Sequence, residues 1–395
     1  MNFYLLAVIK AAVVVGVLMI TLLYLQWVER KVIAHIQVRL GPYNVGPHGL
    51  LQPIADTLKL LTKEDLLPPG VNRFYFILAP FLAITLSLIS ISVIPFGPEI
   101  HLGPVNTWLQ LTDLNIGVIF VLAISSLTVY GIVLAGWSSN SKYPLLGALR
   151  SSAQMISYEL PLGMAVAATL LLSNSLSLRK IVETQSGYYG GFFPAWNLFR
   201  MPFPQVFGFL IFLIAVFAET NRVPFDLPEA ESELVAGFHT EYSSMKFAGF
   251  FMAEYANMVT VTCMATALYL GGWLPLWPAS LGSNYAPAAA FALAGAICIY
   301  SGLQARKRDH LSLQVFGALF LLVAVVFLIP VVQTLLVPLF WFLAKTGLLL
   351  LLFIWVRGTL PRFRYDQLMR FGWTFMFPVA VANLLITGLL VALVG

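Results

Sequence analysis

Residues 204–242 read PQVFGFLIFLIAVFAETNRVPFDLPEAESELVAGFHTEY. The first half is a continuous apolar run. The second half carries Glu219, Asp226, Glu229, Glu231, Glu233 and Glu241. These six are about a third of the 17 Asp plus Glu in a chain of 395 residues. An apolar segment that ends abruptly in most of the nearby charge is what a membrane span looks like where it leaves the hydrocarbon.

The rest of the chain fits that solvent. Hydrophobic residues make up 59% of it and charged residues 10%, against roughly 25% charged in soluble domains; the mean hydropathy is +0.87. So many apolar residues would overfill a soluble core. Cys263 and Cys298 are too few for a disulfide framework or for the four ligands of an iron–sulfur cluster. The formal net charge of +5 comes from bases spread along the chain, which argues against a nucleic-acid footprint. The first apolar run does not read as a cleaved signal peptide: Lys10 interrupts it and Glu29-Arg30-Lys31 end it.

Runs of about 20 apolar residues cross a bilayer as helices. Ten are expected here, near 4–27, 74–95, 114–136, 152–173, 204–219, 246–272, 286–304, 312–332, 334–356 and 373–394. The expected fold is therefore an all-α polytopic membrane bundle forming a single membrane domain. Connections 28–73, 137–151, 220–246, 305–311 and 357–372 then share one side and hold seventeen of the 22 Lys plus Arg. The opposite connections hold only Arg179, Lys180 and Arg200. The basic side is cytoplasmic by the positive-inside rule, which puts both termini on the far side.

Four cytoplasmic segments stand out. In ERKVIAHIQVRLGPYNVGPHGLLQPIADTLKLLTKED (29–65), Gly-Pro pairs force turns, and Leu50, Ile54, Leu58 and Leu61 recur near helical spacing. This predicts an amphipathic surface helix. Anchoring accounts for its apolar face, whereas Arg30, Arg39 and Lys59 point to a shaped mouth for something amphiphilic. In GWSSNSKYPLLGALRSSAQMISYELPLG (136–163), Glu159 falls inside a span, where an acid is expensive and functional by default. In the acidic stretch, Asp226-Leu-Pro-Glu229 fits a capped helix start, so Asp226 is read as a structural cap. Apolar residues interleave with the remaining acids. Buried neighbouring carboxylates share protons, and that is the description of a proton relay, which Glu254 would continue into the next span. In WVRGTLPRFRYDQLMRFGW (355–373), Arg357, Arg362 and Arg364 alternate with aromatics around Asp366, a composition that suits subunit docking.

The five histidines are scattered without metal-ligand spacing. There is no P-loop, dinucleotide fingerprint or nucleophile elbow, and so no covalent chemistry.

Taken together, these four segments closely resemble the quinone-side membrane component of proton-pumping NADH:quinone oxidoreductase (respiratory complex I), called the H subunit in bacteria and subunit 1 of mitochondrial NADH dehydrogenase. The likeness covers 29–273 and 334–395 in the family's order. It implies a quinone entrance lined or gated by Arg30, Arg39, Thr57 and Lys59. It also implies a line of relay acids: Glu159, Glu219, Glu229, Glu231, Glu233, Glu241 and Glu254. Quinone is then a substrate, while flavin and iron–sulfur clusters belong to partner subunits. There are departures. Tyr43 and Asn44 stand where the family has Asn and a basic residue. Ser126 replaces an acid found in some members. Residues 274–333 match nothing in the pattern and read as an inserted transmembrane hairpin. Two rivals remain. The equivalent subunit of a membrane-bound hydrogenase would not need the Gly-Pro mouth. A secondary transporter predicts internal repeats, and none is visible.

Overall fold

The computed structural model describes residues 3–102, 105–226, 236–304 and 307–394. Glu229, Glu231 and Glu233 lie outside the described residues, as does the helix start expected after Asp226. The architecture is a helical membrane bundle, with two small antiparallel hairpins in connections: Glu99–Leu102 with Val105–Trp108, and Tyr188–Tyr189 with Phe193–Pro194. Among the described residues, seven helical segments are long and apolar enough to cross a membrane: Tyr4–Ile36, Arg73–Val93, Gly117–Ser138, Lys142–Ser173, Ser283–Gln304, Pro330–Thr359 and Tyr365–Leu393. Val206–Glu219 and His310–Val326 are apolar but shorter.

Helix α1 (Phe3–Ile36) runs on past the expected end at residue 27. No helix breaker occurs between residue 27 and Gly41-Pro42, so the helix runs through Glu29, Arg30 and Lys31 and ends about two turns beyond the apolar run. Helix α2 (Gln52–Thr62) begins with Pro53 in its first turn, where the missing N–H costs nothing. Its Leu51, Ile54, Leu58 and Leu61 are exposed along one face. Helices α3 (Arg73–Ser90), α4 (Gly117–Ser138) and α5 (Lys142–Ser173) pack in sequence order. A Cβ at Gly136 would sit 2.6 Å from the Pro144 carbonyl oxygen, so the α4–α5 corner closes only over glycine. Helices α6 (Leu178–Thr184) and α7 (Val206–Glu219) follow.

Helix α8 (Ser244–Tyr269) is the hub and is buried almost continuously from Met258 to Tyr269. It touches α1, α2, α3, α5, α6 and α7. Polar side chains stitch the apolar interior, as expected where lipid supplies no hydrophobic drive between helices. Gln205 donates to Thr387 at 2.9 Å and accepts from Asn383 at 3.2 Å.

Helices α9 (Ala286–Gln304) and α10 (Lys307–Val326) form a hairpin. A Cβ at Gly295 would lie 2.9 Å from the Gly317 carbonyl oxygen, so the two backbones meet over paired glycines. A turn at 327–329 leads into α11 (Pro330–Thr359), and Phe291, Phe327, Phe340 and Trp341 lock the hairpin to it. In α11, Lys345 donates to the carbonyls of Leu270 and Leu274 at 2.7 and 2.8 Å and lies over the Trp196 ring. It thereby caps the end of α8 with a cation, the charge a helix C-terminus favours. Helices α12 (Tyr365–Phe371) and α13 (Phe377–Val394) are joined by a π turn at Gly372–Met376. A Cβ at Gly372 would meet the Tyr158 ring at 3.2 Å, and Tyr158 donates to the Leu368 carbonyl at 2.9 Å.

Candidate functional site

A cavity of about 460 Å³ opens between α1, α2 and α8. Its walls are mainly apolar: Met19, Leu22 and Leu23 from α1, Leu60 from α2, and Met245, Phe247, Phe251 and Met252 from α8. Its polar lining comes from Gln26, Arg30, Asp56, Thr57, Lys59 and Tyr255. Asp56 organises that rim. It accepts from Arg30 at 2.6 Å and from Gln52 at 3.0 Å, with the Lys59 ammonium 3.9 Å away. Thr57 spends its hydroxyl on the Pro53 carbonyl, 2.9 Å away. Of the four residues expected at the entrance, Arg30, Thr57 and Lys59 line this cavity. Arg39 instead bonds Gln37 at 2.7 Å on exposed chain just beyond α1 and is absent from the lining. The chain between α1 and α2 also meets the α9–α10 hairpin: Tyr43, Pro47 and His48 face Leu311, Val315 and Phe316 across a crevice of about 450 Å³.

Behind the inner wall of the cavity is a buried charge cluster. Glu29, 3% exposed, accepts hydrogen bonds from Arg357, from Arg222 at 3.4 Å and from the Tyr255 hydroxyl at 2.6 Å. The Arg222 guanidinium also lies over the Tyr255 ring, 4.2 Å from its centroid. One carboxylate thus holds two guanidinium groups, and Tyr255 presents the cluster to the cavity it lines.

The described acids lie beyond this cluster. Glu219 accepts from Ser125 and Glu159 from Ser126, neighbours on α4. Glu219 and Glu254 line one small cavity of about 30 Å³ with Ser87, Thr128, Asn221 and Asn257. That is room for about one water among polar partners. The structure therefore brings Glu219 and Glu254 together and keeps Glu159 near them through α4. Ser126, which stands where some members carry an acid, holds Glu159 instead. Glu241, half-buried, sits in the turn before α8. Beside it the Tyr242 ring stacks on Phe76 at 4.0 Å and its hydroxyl donates to the Phe76 carbonyl at 3.2 Å. Burial holds that hydroxyl above the usual phenol range, so it stays a neutral donor.

Asp226, 3% exposed, pairs with Arg362 at 3.1 Å. Gln154 of α5 donates to the carbonyls of Ala218 and Phe225 at 2.8 and 2.7 Å. Both contacts fix the turn where α7 leaves for the acidic stretch. Of the residues expected to dock partners, Arg357 and Arg362 therefore pair within the chain. Arg364 and Asp366 are exposed, 3.4 Å apart.

The near end of α8 is fastened to α2. Ser244 donates to the carbonyls of Leu60 and Lys63 at 2.9 and 3.0 Å. Ser243 accepts the Leu66 N–H at 3.0 Å, and Lys246 pairs with Asp65 at 2.9 Å. Among the described residues, no three His, Cys, Asp or Glu side chains gather to hold a metal ion.

Sequence reasoning missed Glu29, Asp56, Arg222 and Tyr255 as site residues. The available signal was Glu29 beside Arg30 inside a continuing helix, and a base, Arg222, three residues after Glu219.

The NADH dehydrogenase family model matches residues 9–388. An NADH-quinone oxidoreductase H subunit of Solibacter usitatus is 66% identical over 392 residues, covering 99% of this chain and 98% of that protein. An H subunit of the same enzyme from Koribacter versatilis is 50% identical over 401 residues, with shares of 99% and 98%. The H subunit from Streptomyces avermitilis is 43% identical over 387 residues, 96% of this chain and 72% of that protein. A match of this length takes in the cavity, the charge cluster and the described acids at once, and the chain belongs to the NADH dehydrogenase family.

Proposed function

We propose that this chain works as the quinone-binding, energy-coupling membrane H subunit of an NADH:quinone oxidoreductase, multi-pass in a bacterial inner membrane. The observation that carries the reading is the 460 Å³ apolar cavity with its Arg30–Asp56–Lys59 rim. A quinone has an isoprenoid tail that needs an apolar path and a headgroup that needs a few placed polar partners. The cavity offers both. The chain holds no redox centre on this reading; NADH, flavin and clusters belong to partner subunits. Arg364 and Asp366, exposed beside α12, suit contact with one of them.

The described acids support a relay role. Reduction of quinone changes charge at the cavity. The Glu29–Arg222–Arg357 cluster lies between that cavity and Glu254, and in a low-dielectric interior one charge change strongly biases the next. Glu254, Glu219 and Glu159 then respond by moving protons, with Glu229, Glu231, Glu233 and Glu241 of the acidic stretch supplying the cytoplasmic end. The shared water-sized cavity at Glu219 and Glu254 supports passage between those two. Asp226, held by Arg362, is a structural residue in this scheme.

Arg30→Gln or Asp56→Asn tests the mouth. Either is expected to lower quinone reduction by about tenfold, while transfer from NADH to an artificial acceptor persists. The scale follows from losing a charge-assisted hydrogen bond worth about 1.5–3 kcal/mol. Equal loss of both activities would show failed assembly, and unchanged quinone kinetics would remove the rim from the site.

On topology, α7, α8 and α10 join the seven long apolar segments as spans, giving ten, and both chain termini face away from the cytoplasm. The α9–α10 hairpin within 274–333 is an insertion that carries no acid inside its helices beyond Asp309 at the connecting end. A single cysteine at Arg308→Cys, with Cys263 and Cys298 replaced, is expected to react only with cytoplasmic reagent. Labelling from outside alone would invert the scheme.

A further inference from the structure

His239 has no part in the reading above. It ends the Gly237–His239 turn by which the described chain resumes after the acidic stretch, and its side chain is 2% exposed. The turn is pressed onto α5. A Cβ at Gly147 would lie 2.8 Å from the Gly237 Cα, so glycine at 147 sets the approach. Phe238, Phe247, Phe250 and Phe251 surround the imidazole at centroid distances of 3.8 to 5.7 Å. An aromatic box alone would make His239 a packing residue. Its Nε2, however, is 3.6 Å from Glu254 Oε1. That is too long for a hydrogen bond and is closed by a small rotation of either side chain. Glu254 in turn faces the cavity it shares with Glu219, and the Arg222 charge acts on it. Glu241 follows His239 by two residues. The imidazole therefore stands where the described chain resumes after residue 235, beside Glu254, which shares a cavity with Glu219.

We propose that His239 delivers protons to Glu254 on the way into the bundle; this rests on the relay reading above. A neutral imidazole takes a proton on one ring nitrogen and releases one from the other. With Nε2 towards Glu254, a proton arriving at Nδ1 is matched by loss of the Nε2 proton to Glu254 Oε1. The ring is neutral before and after, Glu254 passes from carboxylate to acid, and no electrons move.

The test uses the intact complex in proteoliposomes, as wild type, His239→Gln, His239→Phe and Glu254→Gln. Both His239 variants are expected to slow quinone-linked proton translocation by roughly tenfold. This is below the ~10²–10⁴ of a positioned acid–base group, because water in the cavity carries part of the flow. Imidazole bands should appear in the wild-type infrared difference spectrum on quinone reduction and vanish in both variants. A wild-type rate in His239→Gln overturns the assignment. So does a slow variant whose wild-type parent shows no imidazole band on quinone reduction, since that marks a packing residue. If a variant fails to assemble, the wild-type spectrum decides, and absence of a responding imidazole band overturns the assignment. Full translocation by Glu254→Gln would instead sink the relay itself. A block in Glu254→Gln with normal His239→Gln would sink only the role of His239.

Discussion

Glu29→Gln is expected to be the most damaging single change to the site. Its carboxylate is the shared partner of Arg222, Arg357 and Tyr255. Removing it takes away the carboxylate that Arg222 and Arg357 share, in a place where Glu29 is 3% and Arg222 7% exposed. Breaking a buried pair from one side costs about 3–5 kcal/mol, because the remaining charge keeps its desolvation penalty and loses its compensation. The expected outcome is loss of most assembled complex in the membrane and loss of quinone reduction in what remains. Glu29→Gln combined with Arg357→Gln should recover assembly beyond Glu29→Gln alone, since one orphaned cation is removed with the anion. Subunit content of the purified complex measures this. A double variant no better than the single would show that the cluster is not held together by charge balance.

Glu254→Gln and Glu219→Gln should do the reverse, sparing assembly and destroying coupling. Both substitutions keep shape and hydrogen-bonding capacity while removing the exchangeable proton. Quinone-linked proton translocation should fall by about 10² or more, the scale of a positioned acid–base group, with subunit content unchanged. A pH-sensitive dye inside proteoliposomes reads the loss directly. Wild-type proton yield per quinone in both variants would show that the shared cavity carries no proton traffic.

Much of this is legible in the sequence, for reasons that particular residues make plain. Apolar runs about a bilayer long favour helix, so each expected span overlaps a helix, seven of them, among the described residues, long and apolar enough to cross. Boundaries are less legible: α1 runs on to Ile36 because a charged turn does not itself stop a helix. Arg30, Thr57 and Lys59, read as one group, meet at the same cavity, while Arg39 stays outside it on exposed chain. The charge cluster is not legible in the sequence. Glu29 lies 193, 226 and 328 residues from its three partners, and nothing in a linear sequence distinguishes an arginine that turns inward from one that anchors a loop at the membrane surface. Arg357 is part of the buried cluster, whereas Arg364 is exposed. His239 fails the test of metal-ligand spacing, and that test is blind to Glu254 on the next helix.

The fastening of α8 to α2 by Ser243, Ser244 and Lys246 has a mechanical meaning. The surface helix that forms one side of the aperture hangs from the same point at which the chain leaves the acids. On the proposed relay reading, such a joint would make the cavity mouth and the acids a single lever, a displacement at either arm being felt at the other. On that reading, changing α2 alone to fit a bulkier headgroup would carry the adjustment through Ser244 towards the acids and alter how tightly oxidation and proton movement are geared together.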